Sequence, residues 1–197
     1  MSRCTLLSTA SVGVLCVALG IAMSACSATP TGPYNPPSEA ARDTTKAERL
    51  NRDAADVLVN DPASAERLLR DALTADIFFG PAHNNLGVVF LSEHKLYEAA
   101  SEFEWAKKLL PDSPDPRVNL ALCLEQAGRV DDAIEAYETA MQVRPSYLPA
   151  VQGIACLMLR SGKSDERVGA WLEDIAMRCD DATWREWAIA SRAKRPQ

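Results

Sequence analysis

Residues 80–113, GPAHNNLGVVFLSEHKLYEAASEFEWAKKLLPDS, run directly into residues 114–147, PDPRVNLALCLEQAGRVDDAIEAYETAMQVRPSY. Laid over each other, the two segments repeat one pattern at a spacing of 34 residues. Leu86, Gly87, Phe90, Ala99, Phe103, Ala106 and Pro111 return as Leu120, Ala121, Leu124, Ala133, Tyr137, Ala140 and Pro145. Every pair keeps its size class. Residues i and i+4 of a helix share a face, so Leu86 and Phe90 make an apolar stripe on one helix. Ala99, Phe103 and Ala106 make the facing stripe on the next. Gly87 and Ala121 are small where two helices approach closely. Pro111 and Pro145 end the second helix, because proline cannot continue the hydrogen-bond ladder.

This pattern resembles the tetratricopeptide repeat, a helix-turn-helix unit of about 34 residues with a W-x2-L-G-x2-Y, A-x3-F, P signature. His83 and Arg117 stand where that signature has Trp. The resemblance implies an all-α solenoid of about four repeats in which each unit packs mainly on its neighbours. Units 80–113 and 114–147 are clear, and units 44–79 and 148–181 are degenerate. A capping helix and tail occupy 182–197. In the first unit Ala65, Leu69 and Ala72 are in frame. Its first helix, near 44–59, carries Leu50, Ala54, Val57 and Leu58 out of frame, and the connection through Asn60, Asp61 and Pro62 reads as short. In the last unit Ile154, Ala155 and Met158 are in frame, but Arg167 and Asp174 stand where Ala is expected. Terminal units are atypical because they cap the core. The final helix opens after Asp181, a good N-cap, and its Trp184, Trp187 and Ser191 share one side as packing residues. Nine helices, no strand and a short right-handed arc are expected.

The N-terminus reads as a targeting segment. Arg3 is the only charge before Glu39, and residues 6–22 are apolar or small. Residues 1–25 match a secretory signal peptide; an uncleaved anchor is the alternative, although the stretch is near the lower limit for a bilayer span. Ala22, Met23, Ser24, Ala25 and Cys26 resemble the lipobox of bacterial lipoproteins, with Met23 in place of the usual Leu. The resemblance implies lipid on Cys26; ordinary cleavage after Ala28 is the alternative. Residues 26–43 then form the lipidated Cys and a linker rich in proline (Pro30, Pro33, Pro36, Pro37). At about 3.1 Å per residue such a semi-rigid spacer reaches about 50 Å. Ser27 is not the aspartate of a retention signal. The expected location is the bacterial cell envelope, lipid-anchored, on the outer membrane facing the periplasm where two membranes exist.

Charge and chemistry narrow the function. Asp and Glu number 27 against 21 Lys and Arg, for a net charge of −6, which argues against a nucleic-acid binder with its basic face. Of six cysteines, Cys123, Cys156 and Cys179 fall in the repeat region, so at most one internal disulfide can form. No spacing resembles a zinc site. Cys123 and Cys156 lie on adjacent first helices. Helix axes pack about 8–10 Å apart while a disulfide wants Cα atoms about 5.5 Å apart, which favours free thiols. His83 takes a packing position and His94 a turn. Ser161, Gly162, Lys163 and Ser164 look like the end of a phosphate loop, but Leu157 replaces its first glycine and no strand precedes it. Asp131 and Asp132 open a helix, where negative charge is favoured by the dipole. No nucleophile elbow or HExxH occurs. The expectation is a protein that is not an enzyme, with no metal, no cofactor and no small-molecule substrate.

In the resembled family the first helices line a concave groove. Projected onto this chain, the groove holds Asn84, Asn85, Val88, Leu91, Val118, Asn119, Leu122 and Leu159, beside Glu125, Gln126, Gln152, Cys156 and Arg160. Asn85 and Asn119 either bond a ligand's backbone or serve the repeat itself. Val88 and Leu122 replace the Asn residues with which some relatives clamp a carboxylate, so no such clamp is expected. Trp105 should face solvent on the convex side. The expected function is a membrane-tethered protein–protein interaction adaptor that takes an unidentified peptide segment in an apolar groove. The alternative is a structural homo-oligomeric or assembly-factor envelope lipoprotein. In plan the chain resembles type IV pilus pilotins and cell-wall hydrolase adaptors.

Overall fold

A computed structural model of the chain describes residues 42–163 and 165–194. The expected signal peptide, the expected lipid site Cys26 and most of the Pro-rich linker lie outside the described residues. These form nine helices and no strand: α1 (Thr44–Val57), α2 (Pro62–Ala75), α3 (Gly80–Ser92), α4 (Leu96–Leu109), α5 (Asp115–Gln126), α6 (Val130–Val143), α7 (Leu148–Ser161), α8 (Val168–Arg178) and α9 (Ala182–Ala193). They pair as α1/α2, α3/α4, α5/α6 and α7/α8, with α9 packed on α8. No described helix is long and apolar enough to cross a membrane.

The 34-residue pattern is the pattern of burial. Leu69, Phe103 and Tyr137 recur at that spacing on α2, α4 and α6, and all three are fully buried. Ala65, Ala99 and Ala133 precede each by one turn and Ala72, Ala106 and Ala140 follow, with none exposed. These alanines let paired helices approach closely. Pro opens α2, α3, α5 and α7, where its missing N–H costs nothing. Asp43, Asp61 and Asp181 cap α1, α2 and α9 through their side chains.

Both degenerate units lose their frame through added residues around the connection between their two helices. Ala47, Leu50 and Ala54 of α1 match His83, Leu86 and Phe90 at a spacing of 36 rather than 34. The turn at 58–61 has four residues where 93–95 has three, and α1 is one residue longer than α3, so the connection that reads as short in the sequence is the longer one. In the last unit α7 ends at Ser161 and α8 begins at Val168, and Val168, Leu172 and Ile175, all fully buried, match Ala133, Tyr137 and Ala140 at 35. Arg167 and Asp174 fall out of the core by that one-residue shift. Trp184 and Trp187 of α9 meet edge to face at 5.2 Å and pack partly buried on the C-terminal core, with Ala188 fully buried between α9 and α8.

Candidate peptide groove

The first helices of the pairs, α1, α3, α5 and α7, each pack on the next of their kind. The second helices α2, α4, α6 and α8 do not pack on one another. Contact along one row and none along the other bends the stack, with the first helices on the inner side.

A row of asparagines crosses that inner side. Asn119 Nδ2 donates to Asn84 Oδ1 at 2.9 Å, Asn84 Nδ2 to Asn85 Oδ1 at 3.4 Å, and Asn85 Nδ2 to Asn51 Oδ1 at 2.9 Å. Asn85 and Asn119, singled out in the sequence, thus bond neighbouring repeats. Asn51 was missed; it lies 34 residues before Asn85, a signal hidden because α1 is otherwise out of frame. The next position in the series is Gly153, and there the row stops. The Tyr137 ring fills the space, and its hydroxyl donates to Glu125 Oε2 at 3.3 Å. Arg160 Nη2 donates to the other oxygen of Glu125 at 2.6 Å. Burial first, and then the Glu125 carboxylate, push the Tyr137 hydroxyl well above its usual range, so it is a neutral donor.

Among the expected apolar groove residues, Leu122 is 38% exposed, and Val88, Leu91 and Leu159 are half-buried. Val118 is a correction. It is only 7% exposed and belongs to the C-terminal core, so it supports the groove from beneath and does not line it. Cys123, Cys156 and Cys179 are thiols. Burial raises the Cys123 and Cys156 thiols above their ordinary range, which disfavours thiolate chemistry. Cys123 donates to the Leu96 carbonyl at 3.1 Å, and Gln152 Nε2 donates to Cys179 Sγ at 3.2 Å.

His83 packs, as its repeat position implies. It is 6% exposed, Nε2 donates to the Ile77 carbonyl at 2.8 Å, and Nδ1 is hydrogen-bonded with Glu102 Oε2 at 2.6 Å. Trp105 stacks on its ring at 5.9 Å and is 46% exposed. Among the described residues no group of three or more His, Cys, Asp or Glu could hold a metal ion.

Residues 90–155 match the family model described as tetratricopeptide repeat. A curated relative, the TPR repeat-containing thioredoxin TTL4 of Arabidopsis thaliana, is 33% identical over 79 residues. That match covers 40% of this chain and 12% of the relative's length. Among solved structures, MamA superposes with a TM-score of 0.59 at 21% identity, covering 78% of this chain and 84% of that one. The O-GlcNAc transferase of Thermobaculum terrenum gives 0.64 at 24% identity over 70% of this chain and 27% of its own. The first TPR of Spaghetti (RPAP3), bound to the HSP90 peptide SRMEEVD, gives 0.58 at 15% identity over 62% and 98%. These three share the fold.

Proposed function

Because the chain belongs to the tetratricopeptide repeat family, we propose that it is a protein-binding adaptor that seats a peptide segment on the inner face of its first helices. The carrying observation is Leu122, 38% exposed in the middle of that face, with Val88, Leu91 and Leu159 half-buried beside it. Apolar side chains left facing water gain nothing from folding, but gain on binding at about 25 cal/mol per Å² buried. An amphipathic helix or an extended segment fills such a groove. A neighbour of the same fold, RPAP3, holds an HSP90 peptide, which supports the reading in kind. The sequence supplies no catalytic constellation, and the reading is of a binding protein and not an enzyme.

The double change Val88→Lys and Leu122→Glu tests it. Capture of the native partner should fall at least about tenfold, as for the loss of a central anchor, while helical circular dichroism stays nearly unchanged. Undiminished capture by a folded double variant would place binding elsewhere. Sedimentation velocity separates an adaptor, monomeric at micromolar concentration, from a self-assembling envelope protein.

The anchor belongs to the same reading. Cys26 becomes the lipid-bearing N-terminus after cleavage, and the Pro-rich segment holds the repeats off the membrane, which in a two-membrane cell is the outer membrane's periplasmic face. Mass spectrometry of membrane-extracted protein should find Cys26 first and acylated. An unmodified N-terminus at Thr29, or an intact Met1, contradicts it.

A further inference from the structure

The outer side of the stack carries a second feature. Between α4 and α6, which do not pack on each other, runs a cleft of about 570 Å³. Through the shared wall residues Lys107 and Thr139 it continues into another of about 470 Å³. From Tyr97 to Lys107 the wall follows α4 for about 15 Å at 1.5 Å per residue.

The smaller end is basic. Lys107, Lys108 and Arg117 line it, and no acidic residue does, in a chain whose net charge is −6. Lys107 is paired with Glu104 at 2.8 Å. Lys108 lies over the Trp105 ring at 5.4 Å, and Arg117 Nη1 donates to the Ser113 carbonyl at 2.8 Å. Neither Lys108 nor Arg117 has a carboxylate partner among the described residues. The two lysines complement the negative C-terminal end of α4. Arg117 has no such reason to be there: it sits in the first turn of α5, where the helix dipole disfavours a cation. The larger end differs. Leu120 and Leu124 give it an apolar floor, Glu135 lines its α6 wall, and Asp132 beside it is paired with Arg129 at 2.6 Å.

We propose that this outer cleft binds an extended acidic segment of a partner protein. At about 3.3 Å per residue the cleft takes four or five residues. Acidic side chains meet Lys107, Lys108 and Arg117, and an apolar side chain meets Leu120 and Leu124. Asp132 is held by Arg129, and Glu135 repels acid at the other end, so the segment has one polarity. A small free anion would use only the basic end and leave the apolar floor unexplained. The site lies on the face opposite the peptide groove, so the two surfaces are separable.

Fluorescein-labelled hexapeptides carrying one Leu and a Glu-Glu pair, in both orders and with Gln in place of Glu, test it. They are titrated by fluorescence anisotropy against the full-length protein in detergent at about 0.15 M salt. One order with Glu should bind at least about tenfold more tightly than its reverse and than the Gln peptides. Lys108→Glu with Arg117→Glu should weaken it by at least about tenfold, and Leu122→Glu should leave it unchanged. Lys108→Gln with Arg117→Gln provides the same reading should the charge reversal disturb folding. No saturable binding, equal binding of Gln peptides or of both orders, or indifference to the charge changes overturns the proposal. Loss of binding on Leu122→Glu moves the peptide to the inner groove and also overturns it.

Discussion

A Cβ placed on Gly153 would come within 2.3 Å of Cζ in the ring of Tyr137. The two residues, on α7 and α6, meet in the space a side chain would otherwise take. Tyr137 is fully buried and has no free side to move toward. Gly153→Ala gains about 1 kcal/mol in helix propensity but overpacks a tight contact, which costs about 1–3 kcal/mol. The expected outcome is a net loss of about 1–2 kcal/mol in thermal or urea unfolding, with the upper part of the overpacking range applying. Combining it with Tyr137→Leu should recover most of that loss. Additive effects of the two changes would show that the contact is not what limits the site.

His94 occupies a left-handed turn position at φ 58°, and its counterparts at 34-residue spacing are Gly128 at 75° and Gly162 at 68°. A β-carbon in this region costs about 1–2 kcal/mol, partly offset by glycine's greater freedom in the unfolded chain. His94 is exposed. His94→Gly should therefore raise stability by about 0.5–1 kcal/mol, read as a higher melting temperature. An unchanged or lower one would mean that the imidazole contributes to packing.

Asp76 is fully buried and ties the start of α1 to the end of α2. Arg42 Nε and Nη2 donate to its two oxygens at 2.8 and 3.1 Å, Thr44 Oγ1 donates at 2.8 Å, and the Phe78 amide donates at 3.0 Å. Burial pulls its carboxyl upward, but these hydrogen bonds and the Arg42 charge prevail and hold it below the usual carboxylate range. A depressed folded value means stability that is present above the unfolded value near 4 and is lost as pH falls through the folded one. Asp76→Asn should cost about 2–4 kcal/mol at neutral pH. In thermal melts from pH 7 down to pH 3 the gap between wild type and variant should narrow at the acid end. A gap that stays constant with pH would contradict the assignment.

With Trp171, Trp184 and Trp187 changed to Phe, Trp105 is the one indole left. At 46% exposure it should emit at long wavelength and be quenched readily by acrylamide. Emission typical of a buried indole would be inconsistent with its place on the outer face.

The helices of the two central repeats were legible because Leu86, Phe103, Tyr137 and the alanines around them are both periodic and buried. The end units were not, since one or two added residues shift a whole helix out of frame while leaving local propensity untouched. Val168, Leu172 and Ile175 still show helical spacing to each other, and only the reference to the preceding repeat is lost. Leu122, expected on the inner face from its repeat position, is 38% exposed. Val118 shows the limit of that reasoning, because the depth of a groove position depends on the neighbouring pair's side chains. The Asn row needed the structure: Asn51 has the right spacing, but no sequence rule says that Asn84 turns to bridge Asn85 and Asn119.

The stack's rows of helices have unequal mechanical roles. With α2, α4, α6 and α8 apart from one another, each repeat is held to the next through that next repeat's first helix, which packs on both helices of the repeat before it. A segment wedged between α4 and α6 would act on the packing of both helices against α5, and through it on the width of the opposite edge.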